Sequence, residues 1–472
     1  MVDAGFGLAS VFTNGGAWFS SSNFDVWQRE RMVLLLSSVS HAISTATTST
    51  LHRRSVNQTR SFRLPSSFQF PAFGSHDSHS DAVCVRSRKP LSSSIYSSNL
   101  VPVAAIPFDL SPPPIDHDLY DDMAIAGAKV SEDWIIETFN NDEEALDAVD
   151  NGTVIVDLSH YGRIRVSGED RIQFLHNQST ANFEALSEGG GCDTVFVTPT
   201  ARTIDIAQAW IMKTAVTLVV SPSTSGRISE MLKKYIFFAD KVEIEDISKK
   251  TCLFALIGPK SNQVMLDLNL GDLIGQPYGS HKHYNVSGNP VTVAVGSVIS
   301  EEGFSLMMSP ATAGMVWKAL LTHSATPMGS NAWETYRILQ GRPAPGNELT
   351  DEFNVLEAGL WNAVSLNKGC YKGQETISRL ITYDGIKQKL WGIQLSSPVD
   401  PGSPITVEGK KVGKLTSYTG GKGGNEHFGL GYIKRKAASK GDTVVVGDDV
   451  FGTVVDVPYL ACQKPLVLGS KS

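Results

Sequence analysis

One string concentrates reactive side chains: Lys368-Gly369-Cys370-Tyr371-Lys372-Gly373-Gln374-Glu375, with Arg379 four residues further on. It joins a thiol, two flanking glycines and several charged or amide groups. The glycines allow positive φ or a close backbone approach to a ligand. Lys368 beside Cys370 would favour the thiolate, the form that attacks electrophiles or binds metal. On residue type alone the commoner reading is a Gly-rich turn around a buried cysteine, because free cysteine usually behaves as a small hydrophobe. Cys84, Cys192, Cys252 and Cys462 are scattered with no C-x-x-C pair, so structural roles are expected for them. That spacing excludes a disulfide framework and a self-contained zinc or cluster site. The run Gly420-Gly421-Lys422-Gly423-Gly424 lacks the spacing of a phosphate loop and reads as a barrel turn.

The elements that must position this string alternate between helix and strand. Ser131, Glu132 and Asp133 predict a helix start, with Ile135, Ile136 and Phe139 on its apolar face. Thr153 to Leu158 reads as a buried strand, and Arg163 to Val166 as a half-exposed one. Asp170 is placed to cap a helix carrying Ile172, Phe174 and Leu175. From Gly189 to Ile211 short β-branched runs alternate with turns, and Thr214 to Val220 is another strand. Met231 to Phe238 predicts a helix, and further strands fall at Val242 to Ile247, Leu253 to Ile257 and Val291 to Val298. Helical stretches are expected near Asn262 to Leu268 and at Ala311 to Ser324. Asn331 to Gln340 is a helix stopped by Gly341 and Pro343. After Lys387 six short strands with Gly-rich turns predict a small antiparallel barrel, ending with Thr443 to Val446 and Thr453 to Val457. The interleaving predicts an α+β chain.

Composition divides the 472 residues further. The first hundred are rich in Ser and Arg, with no acidic residue from Met32 to His76, as in an organellar transit peptide. Ser and Thr density favours plastid, chloroplast stroma, with mitochondrion as second choice. Met32 is a plausible start. The domain division expected is a transit peptide and disordered leader over 1–100, a Pro-rich linker over 101–130, a body over 131–386 and a barrel over 387–472, with order beginning near Ser131. The leader holds 9 basic and 5 acidic residues, so the remainder, 32 basic against 43 acidic, stands at −11. Such a body argues against nucleic acid or anionic membrane as partner. No apolar run approaches the length of a membrane span, so a soluble mature protein is expected.

The string over Lys368–Glu375 is similar to the signature of the YgfZ family, with Glu357-Ala358-Gly359-Leu360 at the family's distance before it. Tyr336 to Pro343 resembles the family's helix-ending element. Asp157 to Asp170, continued by Phe174 to Thr180, resembles the opening strand pair shared with glycine-cleavage T-proteins. The resemblance spans about Asp142 to Pro458, in family order.

That resemblance implies a T-protein-like folate-binding body of two mixed α/β subdomains, a central cavity and a C-terminal antiparallel β-barrel. It implies tetrahydrofolate or a derivative as cofactor, no metal bound by this chain alone, and iron-sulfur carrier or client proteins as partners, since one cysteine cannot hold a four-iron cluster. Asp205, in Pro199 to Asp205, stands where a T-protein carboxylate orients the folate, and with Cys370 is the implied catalytic residue. Ala201 stands where the family usually has Gly, and Ile206 replaces the second acidic residue typical of T-proteins. Read without the resemblance, Asp205 is equally a strand-edge solvent contact. Glu301 matches a T-protein segment whose Glu contacts the pterin, although Glu302-Gly303 is equally a hairpin turn. Arg337 could pair a folate carboxylate or a buried acid, a helix-surface salt bridge being commoner. Arg202, Glu357, Lys368, Gly369, Gly373, Gln374, Glu375 and Arg379 complete the implied ligand set. The implied function is folate-dependent support of iron-sulfur assembly or repair in the chloroplast, with Cys370 at the cavity rim. The alternative is a folate-dependent aminomethyl or one-carbon transferase.

Overall fold

A computed structural model describes residues 117–463 apart from 287. The leader over 1–100 and the start of the linker lie outside those residues. Where the linker was expected to continue, α1 (His117–Ile125) forms instead. Leu119 and Met123, one helical turn apart, enter the same apolar cluster as Phe254 and Trp317. Order therefore begins before Ser131. Each such side chain, once buried, contributes roughly 1.5–3 kcal/mol.

The helix expected from Ser131 is replaced by a two-stranded ribbon, β1 (Lys129–Val130) and β2 (Ile136–Thr138). Ser131 donates its N–H to the Ile135 carbonyl at 2.8 Å, and its hydroxyl accepts from Ile135 N–H at 3.2 Å. Trp134 turns the chain at φ 61°. Serine's hydroxyl competes here with helix formation, as short polar side chains do. The helix comes later, at α2 (Asp142–Asn151), whose first turn holds Asp142, Glu143 and Glu144 against the positive end of the dipole.

Next come β3 (Val154–Asp157), β4 (Gly162–Ser167) and α3 (Arg171–Gln178). Asp170 sits at the N-cap position of α3 without capping it, since its carboxylate accepts from Lys241 N–H at 2.9 Å. The half-exposed character expected of β4 holds at Arg165, whereas Arg163 is fully buried together with Ile164 and Val166. Carbonyl oxygens of Ser159, Tyr161, Ser248 and Thr251 surround the Arg163 guanidinium and replace its water.

Then follow β5 (Gly191–Val197), β6 (Thr203–Ile211), β7 (Ala215–Val220), α4 (Ser225–Lys234) and β8 (Glu243–Asp246). The five-stranded sheet runs β5-β6-β7-β4-β8, all antiparallel. Helix α4 starts and ends earlier than Met231–Phe238, and Phe237 and Phe238 stay exposed. One sheet face is covered by α3 and α4 over Phe196, Ala207 and Leu218.

A second sheet takes up β9 (Cys252–Ile257), then, after α5 (Ser261–Asp267), β10 (His281–Val286), β11 (Asn289–Val295) and β12 (Phe304–Met308). After α6 (Pro310–Thr322) comes β13 (Thr326–Met328), giving the order β10-β11-β12-β9-β3-β13. Only β13 with β3 is parallel in it. Strand β10 was not expected, because as an edge strand of sequence HKHYNV it shows no apolar alternation.

Helix α7 (Ser330–Gln340) ends at Gly341, whose φ of 79° requires glycine. After α8 (Gln374–Thr382) the chain builds a closed barrel from β14 (Gln388–Leu395), β15 (Pro404–Val407), β16 (Lys410–Thr419), β17 (Phe428–Lys434), β18 (Thr443–Val446) and β19 (Val450–Val455). Closure comes from β14, which pairs with both β17 and β19. A last turn, α9 (Pro458–Ala461), follows. A Cβ on Gly341 would fall 2.1 Å from Val457 Cγ2, so the segment joining β19 to α9 is pressed against the end of α7. The architecture is α+β, a body of two sheets with their helices and a C-terminal closed antiparallel barrel.

Candidate functional site

A cavity of about 550 Å³ opens among β5, the segment before β12, the end of α7 and α9. Asp193, Glu301, Tyr336, Arg342 and Tyr459 are among its lining residues. Asp193 accepts from Arg342 Nη1 at 2.9 Å and from the Tyr278 hydroxyl at 2.6 Å. Arg342 also lies 4.9 Å from the Tyr459 ring centroid. Burial works against the Arg342 charge, but Tyr459, Asp193 and Tyr278 outweigh it and raise the pKa above its ordinary value. Tyr278 is pushed well up by burial and Asp193, so it remains a neutral donor. Cys192, on the same wall, is pushed up to about 12 by burial and Asp193, and stays a thiol.

Asp205 belongs to β6, on the helix-covered side of the sheet. Four donors converge on its carboxylate: Ile206 N–H at 2.7 Å, Ser221 N–H at 2.8 Å, Ser221 Oγ at 2.9 Å and Thr224 Oγ1 at 2.5 Å. It is 1% exposed, so it is no strand-edge solvent contact. Burial raises its pKa against the pull of those donors. The group ties β6 to the start of α4. The neighbouring Ile206 points the other way, into the apolar cluster with Ile338 and Val355.

The Lys368–Glu375 string forms a loop anchored on the helical layer. Lys368 Nζ donates to the carbonyls of His176, Ser179 and Ala181 at 2.5, 2.8 and 2.6 Å, closing the C-terminal end of α3. Burial lowers its pKa to about 8, against the raising effect of Cys192 and Glu184. The ammonium expected to activate Cys370 is thus engaged with backbone. Lys372 N–H donates to the Asn177 carbonyl at 3.1 Å, and Lys372 Nζ sits 4.3 Å from the Tyr235 ring centroid. Gly373 takes φ 84°, and a Cβ there would meet Val197 Cγ2 at 2.8 Å. Gln374 Oε1 accepts from Tyr371 N–H at 3.3 Å. The Cys370 side chain is exposed.

Of the site residues implied by the resemblance, Glu301 borders the cavity; Cys370, Asp205 and the others of that set are not among its lining residues. Arg202 donates to the Glu352 carbonyl at 2.7 Å, clasping a loop. Arg337 is buried, pairing with Glu334 at 2.6 Å and Glu348 at 3.1 Å, and donates to Ser417 Oγ of the barrel at 3.1 Å. Glu357 accepts from Asn354 N–H at 3.2 Å inside a buried turn. Gly369 lies against His176, and Glu375 with Arg379 makes an exposed ion pair at 2.5 Å. Ala201 adopts φ 60°, the conformation for which glycine is the unstrained residue.

Asp193, Tyr278, Arg342 and Tyr459 were not anticipated. Arg342 stands inside the quoted Tyr336 to Pro343 element, one position past the left-handed Gly341. That turn sends it off the helix end to Asp193, whereas Arg337 stays on the helix. No spacing signal marks Asp193 or Tyr278, which come from different elements.

Residues 128–368 match the GCVT N-terminal domain, and residues 388–467 the glycine cleavage T-protein C-terminal barrel domain. A chloroplastic protein of Arabidopsis thaliana, provisionally named a transferase, is 70% identical over 368 residues, covering 78% of this chain and 85% of that protein. The aminomethyltransferase of Thermotoga neapolitana is 27% identical over 354 residues, covering 72% of this chain and 96% of that enzyme. In fold, the chain is similar to the crystal structure of glycine cleavage system aminomethyltransferase T from Bartonella henselae, with TM-score 0.66 and 20% identity over 72% of this chain and 97% of that one.

Proposed function

We propose a function from the premise that this chain belongs to the glycine cleavage T-protein family. Within it we place the chain in the YgfZ branch, as a chloroplast protein that binds tetrahydrofolate or a derivative in the central cavity. Cys370 then serves iron-sulfur carrier or client proteins from outside that cavity, in support of cluster assembly or repair. A single observation carries this reading: the signature thiol is held out to solvent while β6 turns Ile206, not an acid, toward the protein centre.

The cavity fits the ligand class. Its volume of about 550 Å³ falls in the range of small-molecule sites. Tyr336 and Tyr459 offer apolar ring surface, and Glu301 can accept from ring N–H groups. Reduced folate, when bound, supplies nitrogens able to carry a one-carbon unit. The roles implied for Arg202, Arg337, Glu357 and the signature loop are indirect in this proposal, holding the cavity walls and the thiol in place. The leader over 1–100 directs import, a reading supported by the chloroplastic name of the Arabidopsis relative. The proposed body runs to 386, with α1 added at its start, and the barrel begins at 387.

A folate-dependent one-carbon transferase is the second reading, favoured by the carboxylates Asp193 and Glu301 on one cavity. Two measurements separate the readings. Calorimetry of the full chain with tetrahydrofolate should show binding, and absence of binding removes both. Cys370→Ala should then keep that binding yet fail to restore iron-sulfur enzyme activity in cells lacking the bacterial counterpart; full restoration leaves the transferase reading standing alone.

A further inference from the structure

The turn after α4 presents two aromatic side chains to water, for Phe237 is 71% exposed and Phe238 wholly so. It is held in place: Phe237 N–H donates to Asp240 Oδ2 at 2.8 Å, Asp240 N–H to the Phe237 carbonyl at 3.0 Å, and Lys241 N–H to Asp170 Oδ2 at 2.9 Å. Adjacent exposed aromatics on a fixed turn differ from the single apolar residues scattered over an ordinary surface, and mark a place of contact. Lys233 and Lys234, in the last turn of α4, are exposed and stand in no ion pair among the described residues. Lys372 Nζ adds a third ammonium, lying against Tyr235 and Met231. The nearby acids are engaged, Asp240 within the turn and Glu169 on Lys241, while Arg227 offsets Glu230 in charge on the helix. Basic groups thus flank an aromatic tip on a body that is acidic overall.

This turn is joined to the signature loop. Lys372, over the Tyr235 ring, stands two residues from the exposed Cys370, and Tyr235 stands two residues from Phe237. Two residues of chain span at most about 7 Å, so one interface of ordinary size, about 800 Å² on each partner, takes in both. We propose that the turn over Tyr235–Asp240 is the docking surface of the protein partner that Cys370 serves, a protein whose contact face carries acidic groups around an apolar pocket. The phenylalanines fill the pocket, and the three lysines attract the acidic rim and fix its register. A lipid surface also accepts aromatic and basic groups, but it leaves the neighbouring exposed thiol without a role. The inference rests on the reading of Cys370 given above and adds where the partner sits.

The test places the full chain in cells lacking the bacterial counterpart and reads the iron-sulfur enzyme activity restored. The chains compared are wild type, the double substitution Phe237→Ser with Phe238→Ser, the double substitution Lys233→Glu with Lys234→Glu, and Phe451→Ser. Phe451, 61% exposed on the barrel, is the control for loss of an exposed aromatic ring. Both double variants should restore about a tenth or less of the wild-type activity, as when the anchors of an interface are removed, and Phe451→Ser should restore all of it. In the purified phenylalanine double variant, melting temperature, tetrahydrofolate affinity and the rate of Cys370 alkylation by iodoacetamide should match wild type, which separates lost docking from a lost fold, cavity or thiol. Full restoration by either double variant while Cys370→Ala fails overturns the docking surface and leaves the thiol reading standing. Equal loss in Phe451→Ser overturns it too. So does binding of the purified wild type to phosphatidylglycerol vesicles, or a dimer in solution, that the phenylalanine substitutions abolish, since the turn then belongs to a membrane or to a second copy of the chain. Failure of the wild type to restore activity, or full restoration by Cys370→Ala, defeats the reading of Cys370 itself.

Discussion

The five-stranded sheet meets two different surroundings. On the side of α3 and α4, Asp205 is closed by four donors and Lys368 by three carbonyls. On the central side, Gln208, three residues from Asp205 on the same strand, has no partner at all. Burial is similar, so burial alone does not mark a fastening. Completion of the hydrogen-bonding inventory does. A buried carboxylate surrounded by its own donors is a fastening, whereas a buried amide with capacity left over fastens nothing among the described residues.

The largest effect that could break this contrast is expected at Asp205. Asp205→Ala leaves the donors of Ser221, Thr224 and Ile206 without an acceptor and should lower stability by about 3–4 kcal/mol. Chemical denaturation gives the number, and tetrahydrofolate titration of the folded variant should give an unchanged affinity. A variant of normal stability with affinity lost tenfold would move Asp205 into the site, as the sequence resemblance implied.

Next in size is Lys368→Met. Three carbonyls at the end of α3 would lose their shared ammonium, and a loss of about 2–3 kcal/mol follows. The loop should loosen with it, so proteolysis near Cys370 is expected to speed up while cavity affinity holds. Equal loss of affinity would show that loop and cavity act as one unit, and the division between the two sides would fall.

The barrel was legible because its strands are β-branched and apolar-rich runs separated by turns that carry glycine; Thr443 to Val446 is the strand as observed. Strand β6 was less so. All nine of its residues are buried, so no alternation tells which face a side chain takes, and the opposite directions of Asp205 and Gln208 are invisible in the text. The entry segment misled for a different reason. Prolines before residue 115 masked α1, and Ser131, a good helix cap in isolation, closes a tight turn here. At the signature loop the residue types pointed to a special place, but the direction of the Lys368 side chain depends on α3, nearly two hundred residues earlier. Arg342 escaped because Gly341 redirects it, a change of course that helical periodicity cannot register.

The smallest stability effect belongs to Cys370. Its side chain is exposed, and the loop around it is held by Lys368, Lys372 and Gly373 rather than by the sulfur. Cys370→Ser should therefore change unfolding free energy by less than about 0.5 kcal/mol, with tetrahydrofolate affinity unaltered in the same titration. Only a thiol-dependent readout should respond, such as alkylation by iodoacetamide or transfer to an iron-sulfur partner. The same substitution at Cys192 offers the converse control, because that thiol is held protonated by burial on the cavity wall and should resist alkylation at neutral pH. Were Cys370→Ser to weaken folate binding while Cys192→Ser did not, the exposed sulfur would have to reach the ligand by a movement of the loop. The Lys368 anchoring to His176, Ser179 and Ala181 opposes that movement, so the two cysteine variants judge how far apart the two regions work.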